Sequence, residues 1–180
     1  MIYAGLKEKL GDCQNTVKSL CGNKSAYIET NQDELYINDP IDSNQPIQLV
    51  SGNSYHQLKI TNTVQQPVCL IKTDKCLLAN SINKKCDCVL VSAKDLVFIE
   101  IKDTTLNGRF SARGVAINQL EETIVHFRNV NAIESKNLKA VICFKSNKYC
   151  IIKSSSQSAK AAFFEKYNAA LMEGNEIILA

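Results

Sequence analysis

Within the stretch CDCVLVSAKDLVFIEIKD (residues 86–103), three side chains have the types and spacing for chemistry: Asp87, Glu100 and Lys102. Side chains alternate across a strand, so Val97, Ile99 and Ile101 share one face. Glu100 and Lys102 share the other, about 6.5–7 Å apart. Two apolar runs around a polar turn predict a β-hairpin. A two-residue Ala93-Lys94 loop or a four-residue Ser92–Asp95 loop pairs Val91 with Leu96, and counting back sets Asp87 opposite Glu100. Their Cβ atoms then lie about 4.5–5.5 Å apart, where like charges are destabilising. Such carboxylates splay into water, take up a proton or share a cation. A hard ion such as Mg²⁺ (or Mn²⁺) suits Asp87, Glu100 and the main-chain carbonyl of Ile101. Lys102, on the same face, is placed to hold or deprotonate a water polarised by that ion. This is the chemistry of metal-assisted phosphodiester hydrolysis. The bland alternative is a set of strand-end charges that keeps a sheet edge soluble.

The rest of the chain must position that hairpin. Apolar residues at Ile2, Leu6, Leu10, Val17 and Leu20 predict a helix over 2–21, with Gly11 and Asp12 as a break. Residues 26–66 are rich in Asn, Asp, Gln and Ser and carry Pro40 and Pro46, which predicts short strands and loops elaborating a main fold. VCLIKTDKCLLA (68–79) reads as two short strands around a Thr-Asp-Lys turn. A helix follows the hairpin at 110–128, then a buried strand at 138–144 and a strand at 149–152. A helix over 156–172 with a Ser N-cap and a last strand, IILA, complete the chain. The order β-β-β-β-α-β over 67–144, preceded by a helix, predicts an α/β (α+β) domain: a central mixed sheet flanked by helices. The whole chain, 1–180, reads as a single domain with 26–66 as an insertion.

Asp87 followed by Glu100-Ile101-Lys102 on the next strand resembles the D…(D/E)xK signature of the PD-(D/E)xK, or restriction endonuclease-like, nuclease superfamily. The surrounding element order is similar to that superfamily's αβββαβ core. Gln119, in AINQLEETI, matches a glutamine that some branches present from the helix after the hairpin. Lys85 and Cys86 stand where the signature often has Pro. The resemblance implies a Mg²⁺-dependent nuclease with Asp87, Glu100, Lys102 and Gln119 as catalytic residues. It also implies a further acid from the N-terminal helix, for which Glu8 is the candidate. DNA, and less readily RNA, is the implied substrate, and a homodimer or a larger protein the implied partner. Defence, restriction or repair is the implied setting. Lys84, Lys85, Arg109 and Arg113 are candidate contacts to a nucleic-acid backbone. The same scaffold also suits a non-catalytic interaction, immunity or inhibitor subunit.

Composition bounds these readings. Hydrophobic residues make up 45% and charged residues 22% of the 180, so a globular domain is expected, not a disordered one. A net charge of +3 permits a polyanionic partner without demanding one. The opening MIYAGLKEKLGDC has no apolar segment of the secretory kind, and no stretch is apolar enough for a membrane helix, which predicts a cytoplasmic protein without a membrane partner. The eight cysteines are then expected as reduced thiols. Spacings of six, nine and one residue among Cys69, Cys76, Cys86 and Cys88 fit paired zinc knuckles poorly.

Overall fold

The computed structural model describes residues 4–13, 21, 25–40, 44–79, 82–104, 106–133, 136–144, 153–154 and 157–179. Helix α1 spans Ala4–Leu10 and stops at Gly11, whose φ of 75° suits glycine and whose N–H donates to Lys7 O. Strands β1 (Tyr27–Thr30), β2 (Glu34–Asn38), β3 (Gln48–Val50) and β4 (Leu58–Asn62) follow, then β5 (Val68–Lys72). The hairpin comprises β6 (Cys88–Val91) and β7 (Asp95–Lys102), and α2 (Arg109–Asn129) leads to β8 (Asn137–Phe144). Strand β9 (Lys153–Ser154), helix α3 (Gln157–Tyr167) and strands β10 (Ala169–Glu173) and β11 (Glu176–Leu179) come last.

Seven strands form a mixed sheet in the order β1-β5-β6-β7-β8-β10-β9. Strands β5, β6 and β7 make an antiparallel meander, and α2 carries the chain over to β8, parallel to β7. The sheet is buried on both faces, so its central strands are almost continuously apolar. One face carries Val89, Leu96, Phe98, Ala140 and Ile142 against the helices, through Leu6 of α1, Leu120 and Phe127 of α2 and Phe163 of α3. Phe98 meets Phe127 edge-on with centroids 5.2 Å apart, which fastens α2 over β7. The other face carries Leu70, Leu90, Val97, Ile99 and Val141 against a four-stranded sheet, order β11-β4-β2-β3. The result is three layers, helices over a large sheet over a small one, a mixed α+β architecture. Among the described residues no helix is long and apolar enough to cross a membrane.

The hairpin register follows the predicted one: Val91 pairs with Leu96, and Ser92 N–H donates to Asp95 O at 2.9 Å to close the four-residue turn. Two expectations differ. CLLA (76–79) is not a strand: Lys75 sits at φ 55° and Leu78 N–H turns back to Thr73 O, so an irregular turn replaces it. The meander therefore has three strands before α2, one fewer than expected. The helix expected to reach 172 ends at Tyr167, because Asn168 takes φ 43°. Beyond it Ala169 and Leu171 are buried and Ala170 exposed, the alternation of a strand, and β10 pairs in parallel with β8. Residues 26–66 supply β2, β3 and β4 to the small sheet, which β11 completes, and β1 to the large one. Positions 14–20, the strand expected at 149–152 and the expected Ser N-cap lie outside the described residues.

Candidate active site

The site starts from three residues that enter β6. Cys86 N–H donates to Thr123 Oγ1 on α2 at 2.8 Å, and the Thr73 hydroxyl donates to Cys86 O. Gln119 Nε2, one turn before Thr123 on α2, donates to Lys85 O at 3.0 Å. Both backbone groups of Asp87 are also bonded, its N–H to Ile99 O and its carbonyl to Thr73 N–H, each at 3.1 Å. With its main chain held on two sides, Asp87 turns its carboxylate onto the next strand, where Oδ2 accepts Ile101 N–H at 2.6 Å.

Glu100, one residue after Ile99, the cross-strand partner of Cys88, points to the helix side of the sheet, as alternation from Phe98 requires. Only 1% of it is exposed, against 6% for Asp87. Lys102 Nζ donates to Glu100 Oε1 at 2.5 Å and to Gln119 Oε1 at 2.7 Å. Gln119 thus bridges the lysine and the Lys85 carbonyl, which fixes which way its amide faces. Glu100 Oε2 is buried and, among the described residues, has no hydrogen-bond partner. A buried carboxylate oxygen without a donor is costly, so the oxygen calls for a proton or a cation.

Charge across the site is out of balance. Burial, then the charge of Asp39, raises Asp87 from 3.8 to about 7, against the opposing pull of Ile101 N–H and Lys102. Burial, then Asp87, pushes Glu100 well above the usual carboxyl range. Asp39 is itself raised by burial, and Asp74 adds repulsion to each of the three acids. At neutral pH the centre therefore holds fewer negative charges than its carboxyls could carry, and a divalent cation would restore them.

Asp39 and Asp74 were not singled out from the sequence. Asp39 follows β2 of the small sheet, where Gln57 holds it by accepting from its N–H and donating to its carbonyl, both at 2.8 Å. Asp74 lies in the turn after β5, and its N–H points at Asp87 O at 3.4 Å. The available signals were weak: an acid one residue after one strand and two residues after another, the first in a segment with no evident link to the hairpin.

Lys102 joins Glu100 and Gln119 by hydrogen bonds, Asp87 acts on Glu100 through its charge, and Ile101 donates its N–H to Asp87. Glu8 is exposed on α1, and the acids acting most strongly on Asp87 are Asp39 and Asp74. Lys85 donates to the carbonyls of Leu78, Ala79 and Ile82 at 3.1–3.2 Å, closing its own loop. Arg113 grips Glu173 with two bonds of 2.6 and 2.9 Å, tying α2 to β10. Arg109 stacks over the Phe144 ring at 5.2 Å, and Lys84 is exposed. Of the four cations expected to meet a nucleic acid, Lys85 and Arg113 are thus engaged within the fold.

No protein-family model, no curated protein and no solved structure matches the chain. Chemistry must therefore be read from the site alone. Asp87 and Glu100 suit a hard cation that keeps most of its water, as Mg²⁺ does with one or two carboxylates. Among the described residues, the metal-type ligands that converge as a group of three, within 4.8 Å of one another, are sulfurs and not carboxylates: Cys13, Cys21 and Cys76. Cys21 and Cys76 are joined as a disulfide with Cα atoms 5.3 Å apart, which corrects the expectation that all eight thiols are reduced. Burial raises the thiols of Cys69 and Cys86 to about 12, which disfavours the thiolate form that a nucleophile needs. Cys86 lies on the helix side and Cys88 on the small-sheet side, because β6 begins only at Cys88.

Proposed function

We propose that the protein is a Mg²⁺- or Mn²⁺-dependent nuclease that hydrolyses phosphodiester bonds in DNA, with RNA as the less favoured substrate. The observation that carries this reading is two buried carboxyls, Asp87 and Glu100, whose charges act on each other, with Glu100 Oε2 lacking a hydrogen-bond partner among the described residues and a lysine at the open edge. The order helix, three-stranded meander, helix, parallel strand supports a restriction endonuclease-like αβββαβ core. A divalent ion held by Asp87 and Glu100 would polarise the scissile phosphate and lower the pKa of a bound water. Lys102, a fifth exposed on its side chain, is positioned to orient that water and to stabilise charge on the phosphoryl oxygens. Gln119 holds the Lys102 ammonium in line, and Asp87 keeps its orientation through Ile101 N–H. A cytoplasmic role in defence, restriction or repair, as a homodimer or with a larger protein, fits this activity.

The short Lys102–Glu100 ion pair favours a second reading, a non-catalytic interaction or immunity subunit in which the lysine takes the cation's place for good. Calorimetry with Mg²⁺ and Mn²⁺, paired with cleavage of plasmid and single-stranded DNA, separates the two. Divalent binding that Glu100→Gln removes, and cleavage that both Asp87→Ala and Lys102→Ala abolish, are expected. Cleavage unchanged in those two variants would sink the nuclease reading.

A further inference from the structure

A second ligand set lies away from the carboxylates, at the sulfurs of Cys13, Cys21 and Cys76, all within 4.8 Å of one another. Three sulfurs around one Zn²⁺ at about 2.3 Å in tetrahedral geometry stand about 3.8 Å apart. Cys13 Sγ already lies within 4.8 Å of both sulfurs of the Cys21–Cys76 bond, so breaking that bond is what lets the trio open to this spacing. The positions are built from distant segments. Cys13 follows the end of α1, and the Asp12 carboxylate fixes it by accepting Cys13 N–H at 2.7 Å and Ala26 N–H at 3.2 Å. Tyr27 locks the same corner by donating its hydroxyl to Gly11 O at 2.6 Å. Cys76 is buried in the irregular turn after β5, and Cys21, also buried, reaches it across 55 residues. The four remaining cysteines in the β5–β8 region, Cys69, Cys86, Cys88 and Cys143, are buried and lie outside this group.

We propose that Cys13, Cys21 and Cys76 are a thiolate site for Zn²⁺, or a similarly soft divalent ion, that is opened by reduction of the Cys21–Cys76 disulfide. The chemistry balances with a dithiol or phosphine reductant. With a dithiol, two electrons break the Cys21–Cys76 bond, both sulfurs gain protons, and the reductant leaves as its own disulfide. Zn²⁺ then displaces the protons of three thiols and binds three thiolates, leaving one tetrahedral corner for water. Oxidation by a small-molecule disulfide, which takes up the two electrons and leaves as two thiols, re-forms the Cys21–Cys76 bond and releases the ion. Because Cys76 shares its turn with Thr73 and Asp74, whose N–H groups hold Asp87 O, the two states would grip that turn differently. The thiolate proposal does not depend on the nuclease reading.

The test uses the full chain, stripped of metal, in its oxidised form and after reduction by a phosphine. Co²⁺ is the probe, since thiolate ligands give it an intense near-ultraviolet charge-transfer band, with Zn²⁺ stoichiometry measured by atomic emission. The reduced protein is expected to bind one equivalent with that band, and the oxidised protein to lack it. Cys13→Ala should weaken binding by more than the ~10–100-fold that loss of an outer-shell partner costs. Asp87→Asn should leave the band unchanged, which separates this site from the carboxylates. A reduced protein without the band, a Cys13→Ala variant that binds as tightly as the parent, or equal binding by the oxidised protein would overturn the proposal. Far-ultraviolet circular dichroism of Cys13→Ala guards against loss of fold, and Cys13→Ser provides a second variant if the alanine fails that control.

Discussion

Asp87 makes the stability of the metal-free protein depend on pH in a direction that can be stated in advance. Its carboxyl is raised from 3.8 to about 7, so the folded state holds a proton that the unfolded state releases. The stabilisation from that proton is complete below about 3.8 and disappears as pH climbs through about 7. At about 1.4 kcal/mol for each pH unit of displacement, the upper bound is about 4 kcal/mol, shared with the acids that interact with Asp87. Urea unfolding of the metal-free protein between pH 5 and pH 8 should show a falling midpoint. Asp87→Asn carries no proton to lose and should give a flatter profile. Saturating Mg²⁺ should restore the wild-type midpoint most at the alkaline end, where the carboxylate is ionised, and should do little for the variant. Parallel profiles for the two proteins, or a Mg²⁺ effect largest at pH 5, would refute the reasoning.

Other perturbations test neighbouring parts of the structure. Thr123→Val leaves buried Cys86 N–H without its acceptor and should cost about 1–3 kcal/mol in denaturant unfolding while weakening divalent binding, because the Asp87 backbone loses its anchor. Lys102→Met removes the partner of a fully buried carboxylate and should lower stability while abolishing cleavage; a stable, active variant would contradict the geometry. Arg113→Ala breaks a partly exposed pair with Glu173 and should change stability by about 1 kcal/mol or less, with DNA affinity and its salt slope unchanged in a filter-binding titration. Leu58→Ala opens a cavity between the sheets and should cost about 2–5 kcal/mol by thermal or urea unfolding.

The hairpin was legible because two strong local rules agree there: alternation set the faces, and a polar four-residue turn set the register. Helix α2 was legible for the same reason, its Ala116, Leu120, Ile124 and Phe127 stripe having no competing period. The segments misread were those where a single residue's backbone decides the outcome. Lys75 and Asn168 each adopt a left-handed conformation that residue type alone does not announce, and each turned an expected continuation into something else. The roles of Lys85 and Arg113 were hidden for another reason. Their partners, the carbonyls of 78–82 and Glu173, are selected by tertiary folding, and sequence spacing carries no trace of them. Asp39 was hidden most deeply, since only the stacking of one sheet on another brings its charge to bear on Asp87.

That stacking has a temporal side. The small sheet is closed by β11, whose Glu176 meets Thr61 across 115 residues of chain. During synthesis, the three-stranded meander and its crossover helix can assemble while β4 still waits for its parallel neighbour. Loop closure over such a span is slow compared with hairpin formation. The apolar patch that Ile177 and Leu179 cover therefore stays open until β11 has been made, a window in which a holding chaperone would find its target.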